Sequence, residues 1–378
     1  MRIESLYYNS EQWKFQEETI EKKSDVNLVM AFGDTDTFED PKHYEYLRSL
    51  YPNADIVGSS SSGNVLGPQI SEKSIVATAI SFDTSSVSVN VVDFTAEDEV
   101  QKVSRDLVAS LADEKLQSIF IISDGLNMNG SLLAQGINLE KGNILITGGL
   151  AGDGSRFEKT LVMANDIPKE KRIVAIGFYG DNIHTSSGCY GGWKTFGIER
   201  IITKSTANVV YEIDNEPALA LYKRYLGDGV KDLPGSGLRF PLDVVYPQGG
   251  KSIVRTLLAI DEEDQSLTFA GDVPEGSTVQ LMTADIDGLI DGSGKAAERI
   301  NQVNSGSALG LIVSCVGRRL VMNELVEEEL EIIEDVIGTN VHLTGFYSYG
   351  EIAPFSDEIS NCQLHNQTMT LTVIYEDA

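Results

Sequence analysis

The chain has 378 residues, with 42% apolar side chains, 35 glycines and only 10 prolines, a composition that fills packed cores rather than disordered tracts. Its 57 acidic against 29 basic side chains leave a formal charge of −28, which repels phosphate backbones and anionic lipid and so disfavours nucleic-acid and membrane-surface partners. The N-terminus lacks an apolar signal core, no stretch approaches the roughly 18 apolar residues of a membrane span, and Cys189, Cys315 and Cys362 are too few and too far apart for a disulfide framework or a paired-cysteine zinc motif. A cytoplasmic chain of two domains is the expectation.

In chain order, the periodicity predicts a helix over 11–23, a buried strand over 26–32, a helix over 42–50 and a strand over 54–58 that runs into SSSSGN. Two strands follow over 74–82 and 87–94, then a helix over 97–112 with Val100, Val103, Leu107 and Leu111 on one face. A strand over 118–123, a short helix over 130–135 and a strand over 143–147 lead to a second glycine loop, with strands over 159–164 and 172–179 beyond it. The second half repeats the order in part: helix 295–303, strand 308–315, helix 324–337, a strand over 342–345 that runs into FYSYGE, and a strand over 368–375.

The fold class this implies is mixed α/β: two domains, each a mixed sheet flanked by helices, with a repeated helix-strand-helix-strand-loop-strand-strand unit. Three glycine-bounded exits carry the repeat. They are Gly58-SSSS-Gly63-Asn64, Gly148-GLA-Gly152-Asp153 and Gly345-FYSY-Gly350-Glu351. Glycine supplies a tight departure from a strand, and the polar residue at the end is presented at the strand edge. On this reading Asn64, Asp153 and Glu351 hold equivalent places.

The second exit also spells T-G-x-x-x-G-x-G, the nucleotide fingerprint of short-chain dehydrogenases, and Tyr190 and Lys194 have the spacing of their proton-transfer pair. Such a site needs a helix directly after the loop to hold the pyrophosphate. The residues that follow, FEKTLVMA, are β-rich, and two glycines break the Tyr190–Lys194 span. The pattern is therefore a coincidence of spelling. Asp285-Ile-Asp287-Gly-Leu-Ile-Asp291-Gly fails the calcium-loop spacing and reads as a solvated loop.

Candidate ligand groups are few. Arg318 and Arg319 end an apolar strand and Arg255 lies inside another, each able to meet a carboxylate in bidentate fashion. His365 and Asn366 precede the last strand, and FYSY places Tyr347 and Tyr349 on one face with Phe346 on the other.

Dense, ordered motifs make the chain resemble the FIST sensory proteins, which pair FIST-N and FIST-C domains. They include Gly192-Trp-Lys-Thr-Phe-Gly197, Pro217-Ala-Leu-Ala-Leu-Tyr222, Ser314-Cys-Val-Gly-Arg318, Gly345-Phe-Tyr-Ser-Tyr-Gly-Glu351 and Leu364-His-Asn-Gln-Thr368. In the first half, Val57-Gly-Ser-Ser-Ser-Ser-Gly63 and Gly148-Gly-Leu-Ala-Gly-Asp153 resemble two further signatures, with Ser59 where the family often has Cys and Asn64 where it often has an acid. The resemblance spans nearly the whole chain and implies a FIST-N-like domain over 1–190 and a FIST-C-like domain over 191–378. It implies a non-catalytic sensor that binds a small metabolite such as an amino acid. In bacteria such chains signal through a separate histidine kinase, cyclic-di-nucleotide enzyme or chemotaxis receptor, or through a homo-oligomer. An amino-acid pocket would take its carboxylate contact from Arg255, Arg318 or Arg319 and its ammonium contact from Glu351 or Asp153. Tyr347, His365 and Asn366 would complete it. No cofactor or metal is expected from the residues themselves, although some family members bind haem to sense nitric oxide, for which His365 or His342 would be the axial ligand. An enzyme built on Glu351, His365 and Arg318 is a further alternative.

Overall fold

Three mixed sheets of six strands each share one plan. In a computed structural model, residues 1–377 are described apart from Lys73, Gln302, Asn304, Ser305, Ser356 and Asp357, with the side chains of Asp98, Asp228 and residues 358–360 also left out. At the centre of each sheet lies a parallel pair: Leu28–Gly33 with Asp55–Ser60, Leu116–Ser123 with Leu145–Leu150, and Ala308–Cys315 with Val341–Ser348. Parallel strands need a crossover, and a helix supplies it in every pair: Pro41–Leu50, Gly130–Glu140 and Glu328–Ile337. An antiparallel strand flanks the first member of each pair: Ile75–Ser81, Arg172–Tyr179 and Met369–Glu376. Beyond it lies another: Arg2–Tyr8, Ser86–Asp93 and Ile183–Tyr190. The expected repetition is present: the strand-helix-strand core with its flanking strands occurs three times, with the leading helix of the expected unit in the second and third only.

The second member of each pair is flanked by strands borrowed from a different repeat. Val162–Ala164 of the second repeat completes the first sheet, and Asn64–Leu66 with Gln69–Ser71 of the first repeat completes the third. Gly350–Phe355 with Glu358–His365 of the third repeat completes the second sheet. The exchange is cyclic. The three sheets turn one face inward onto a common core that includes Phe32, Val57, Phe120, Ile122, Val174, Val313 and Phe346. Their outer faces are covered by the helices over separate apolar clusters, each fully buried Leu or Phe contributing roughly 1.5–3 kcal/mol.

The third repeat is interrupted after its first strand by an insertion with a core of its own. Its antiparallel sheet runs Ile253–Arg255, Leu242–Val245, Thr278–Thr283, Lys194–Thr206, Val209–Ile213, Ser266–Phe269, Leu257–Asp261. The two ends of that order are consecutive in the chain, so the sheet curls, and the helix Ala218–Leu226 packs Leu219, Tyr222 and Leu226 into its core. The expected boundary at 190/191 falls at the end of Ile183–Tyr190, a strand whose sheet also holds Asn64–Leu66, Gln69–Ser71, Ala308–Cys315, Val341–Ser348 and Met369–Glu376.

Three sequence expectations differ from the structure. The helix over 11–23 is instead the edge strand Trp13–Glu17, paired with Arg2–Tyr8, because Trp13 stacks on Tyr46 of the first crossover helix at 5.3 Å. The helix over 295–303 is shifted to Ile286–Ala297, and Gln302 lies outside the described residues. Its start is the stretch expected as a solvated loop: Asp285 accepts from the Gly288 N–H and caps the helix. The arginine-bearing end of the Ala308–Cys315 strand turns directly into a short helix, Val316–Met322, ahead of Glu328–Ile337.

Candidate ligand-binding site

The three glycine exits meet around the axis that relates the repeats. The N–H of Ser62 donates to Tyr347 O at 2.8 Å, that of Gly152 to Ser60 O at 3.2 Å, and that of Tyr349 to Leu150 O at 3.1 Å. Each bond joins the position four after the glycine of one exit to the position two after the glycine of another. The glycines themselves are enforced by the neighbouring parallel strand. A Cβ on Gly58 would lie 1.7 Å from Ala31 O, one on Gly148 would lie 1.9 Å from Ile121 O, and one on Gly345 would lie 1.9 Å from Ile312 O.

This register corrects the equivalence of the polar ends. Asn64 pairs with Phe346, and Glu351 pairs with Gly149, each opposite the residue after a glycine. The place opposite Ser59 is taken by Val162, not Asp153. Asp153 instead closes the longer second loop, accepting from the N–H groups of Phe157, Glu158 and Lys159 and from the Tyr349 hydroxyl. Burial opposes its charge, yet these donors hold its carboxyl below the usual range. Glu351 is fully enclosed, accepting from the Ser348 hydroxyl and from the N–H and hydroxyl of Thr368. Burial pushes its carboxyl up to about 8. Asp153 and Glu351 thus belong to separate networks.

The arginines are engaged by the protein. Arg318 is buried against Glu329 at 2.8 Å and also donates to Gly191 O, Leu289 O and Ser293 Oγ. Glu329 in turn accepts from Tyr347 and Ser314, so Tyr347 is part of this closed ion-pair cluster. Arg319 binds Ser62 O and Glu72 and lies over the Tyr347 ring. Arg255 donates to Leu364 O at 2.9 Å, Asp272 O at 3.1 Å and the Tyr246 hydroxyl at 2.8 Å, which fastens the insertion to the body. The expected shared face of Tyr347 and Tyr349 is interrupted, because the strand ends at Ser348. Tyr349 stacks on Phe157 at 4.7 Å, while Phe346 stacks on Phe32 in the central core.

One open cavity, of about 300 Å³, lies at the seam between the second and third repeats, beneath the insertion. The body contributes Gly125, Leu126, Met128–Gly130, Leu150 and Phe157 from the second repeat, and Cys315–Gly317, Tyr349, Leu364 and Asn366 from the third. The insertion contributes Asn208, Leu238, Thr256, Leu258 and Phe269–Gly271. Asn366 is 1% exposed and neither its Oδ1 nor its Nδ2 has a protein partner. Thr256, on the opposite wall and 3% exposed, likewise has an unpaired hydroxyl. Buried polar atoms are nearly always paired, so two residues with unpaired polar atoms lining one cavity mark a candidate ligand surface.

The segment that carries Asn366 is held at every neighbour. Arg255 binds Leu364 O, His365 Nε2 lies 3.1 Å from Ala353 O, Gln367 Nε2 donates to Leu238 O, and the Trp193 indole donates to Gln367 O. Gln367 has φ +61°, a left-handed conformation unusual for a non-glycine residue. Leu364 and Asn366 face this cavity, whereas His365 and Thr368 face a second one of about 500 Å³ with Asp243, Lys251 and Arg299. Burial lowers His365 to about 4. Its Nε2 is occupied by a carbonyl and its cavity carries charged side chains, so the environment does not fit an axial haem ligand. His342 pairs with Glu17 at 3.2 Å and is only partly buried. No hydrogen bond joins Glu351, His365 and Arg318 to one another.

Family models match both halves of this architecture: FIST N domain over residues 27–216 and FIST C domain over 218–354. The chain belongs to the FIST family. FIST domains are associated with sensing and signal transduction. The boundary between the two FIST models lies within the insertion, at Glu216–Pro217. The uncharacterized protein MJ1623 of Methanocaldococcus jannaschii is 24% identical over 343 residues, which cover 82% of this chain and 62% of that protein, so the chain spans less than two thirds of its relative. Among solved structures, a cyanuric acid hydrolase from A. caulinodans aligns over 94% of this chain and 91% of its own, at 7% identity and a TM-score of 0.36. No helix among the described residues is long and apolar enough to cross a membrane.

Of the residues expected to bind ligand, Asn366 lines the seam cavity, Arg255 packs against its lining residue Gly271, and His365 lines the second cavity. Asp153 and Arg319 line a further cavity of about 700 Å³ beside Ser62 and Asn64, whereas Arg318, Tyr347 and Glu351 are enclosed in other networks. Thr256, Phe157 and Leu364 were missed. Thr256 is an ordinary strand-end threonine, and only the curl of the inserted sheet brings it opposite Asn366.

Proposed function

We propose that this chain is a FIST sensor that binds a small metabolite in the seam cavity and relays occupancy to a separate signalling partner. The observation that carries the reading is the unpaired carboxamide of Asn366, buried in a cavity whose other wall belongs to the insertion. A ligand bridging the two walls favours one position of the insertion over others, which is the differential contact that a population shift requires. A histidine kinase, cyclic-di-nucleotide enzyme or chemotaxis receptor is the class of partner suggested by the family, acting in the cytoplasm. Amino acids are among the candidate ligands, as are other metabolites of similar size.

The test is a thermal-shift screen of amino acids and other metabolites on the wild type and on Ala270→Phe, which fills the cavity from the insertion side. A ligand at 100 times its dissociation constant stabilises by ~2.7 kcal/mol. Saturable rises in melting temperature that vanish in the filled variant are expected. Hydrogen exchange over residues 194–283 should slow when such a ligand is added. Hits that persist unchanged in Ala270→Phe would place binding elsewhere, and a screen without hits would remove the sensing reading.

A further inference from the structure

We infer that the seam cavity selects an uncharged ligand: a small apolar body that presents a hydrogen-bond donor and an acceptor side by side to Asn366. The inference rests on the seam cavity being the ligand site and concerns what that site accepts.

The walls argue first. Leu126, Met128, Leu150, Phe157, Leu258 and Phe269 are apolar, and the one carboxylate or cationic side chain among the lining residues is Glu97, which is exposed. A carboxylate or ammonium group taken into such a space must be paired there, or its desolvation exceeds what the contact returns. The cations nearest in sequence to the lining, Arg255 and Arg318, are already bound to carbonyl oxygens and to Glu329. A zwitterionic amino acid would therefore find no cation for its carboxylate among the lining residues, and its ammonium could reach a carboxylate only at exposed Glu97.

The polar atoms argue second. A carboxamide offers one acceptor and one donor about an atom's width apart, so its complement is another amide edge or the equivalent edge of a nucleobase, the geometry by which Asn reads adenine. Because Gln367 holds a left-handed turn and the residues on both sides are hydrogen-bonded, the backbone that presents Asn366 is fixed before any ligand arrives. The Thr256 hydroxyl gives a third point of attachment on the insertion wall. The insertion thus touches the ligand through a polar contact as well as through apolar ones.

Three probes with one apolar body separate the alternatives: benzamide, benzoate and benzylamine. Calorimetric titration of the full chain should show benzamide binding at least about tenfold more tightly than either charged analogue. Binding should be lost in Ala270→Phe. In Asn366→Leu, benzamide binding should fall by at least about tenfold, while the melting temperature of the ligand-free protein should rise, because two unpaired buried atoms have been removed. A structural asparagine would give the opposite change, and a lowered melting temperature in Asn366→Leu would overturn the inference. Benzoate or benzylamine binding as well as benzamide, with both lost in Ala270→Phe, would leave the cavity as a ligand site but refute its selection of uncharged molecules. Failure of all three probes refutes the inference as stated, while the metabolite screen decides separately whether the cavity senses anything.

Discussion

Glu351 lies fully enclosed among hydroxyl and amide donors, and that makes it a sensitive reporter of pH. Its native pKa of about 8 is above the ordinary value of 4.5. Below pH 4.5 native and unfolded chains are both protonated at this group. Between 4.5 and 8 the unfolded chain releases the proton and the native one keeps it, so stability falls as pH rises through that window. At ~1.4 kcal/mol per unit, the loss by pH 8 is on the order of 4 kcal/mol. Replacing Glu351 with Gln, which mimics the neutral acid, should raise the melting temperature relative to wild type at pH 8 and change it little at pH 5. His365 works in the other direction. Its native pKa of about 4 lies below 6.5, so its contribution is present above pH 6.5 and lost as pH falls through 4. Equal melting curves for Glu351→Gln and wild type at pH 8 would mean that the carboxylate is ionised in the native state. The sequence offered Glu351, Arg318 and Arg319 as ligand contacts, and the hydrogen bonds each makes within the protein were not legible there. Whether an arginine meets a ligand or a Glu eleven residues on, as Arg318 does, depends on a helix crossing that no local pattern encodes.

At the scale of elements, the glycine exits were legible and their partners were not. Alternation of apolar strands with glycines separated by three or four residues was enough to locate three equivalent turns, because glycine is the one residue that fits where a parallel neighbour's carbonyl comes within 2 Å of the Cβ position. The Asp153 assignment failed because counting from the glycine assumes loops of equal length, and the second loop is longer before its strand Val162–Ala164. Gly148→Ala should destabilise by about 3 kcal/mol or more, since the added carbon meets backbone rather than a movable side chain. Gly142→Ala is the comparison. Its φ is +55° with nothing within 4 Å, so it should lose only about 1 kcal/mol. Denaturant melts of both variants check this, and similar losses would contradict the close approach. The two misplaced helices differ in origin. Trp13 and Phe15 favour the strand that forms and packs on Tyr46, whereas the glycines in the Ile286–Ala297 helix run against local propensity, and packing that includes the Ser293–Glu329 hydrogen bond prevails.

For the whole molecule, mixed α/β character and internal repetition were readable, whereas the cyclic exchange and the inserted sheet were not. Exchange joins strands far apart in sequence, such as Asn64–Leu66 with Val341–Ser348, and nothing in a strand's composition names its partner. The shared core and borrowed strands make the three repeats one cooperative body, while the insertion keeps a separate core. Hydrogen exchange under increasing denaturant should therefore show the three central parallel pairs losing protection together, with residues 194–283 opening at lower denaturant. Opening of one repeat alone would contradict this. Such independence of the insertion is what a seam sensor needs, because a wall that cannot shift cannot report.

The cyclic loan of strands also has a consequence during synthesis. When residues 1–190 have emerged, the arm Asn64–Leu66 has no sheet to join, and the edge of Leu145–Leu150 waits for Gly350–Phe355. An unpaired edge is a template for any complementary strand, including the same arm from a neighbouring nascent chain. Slow completion of the third repeat would then yield domain-swapped assemblies in which each molecule's arm fills the gap of the next.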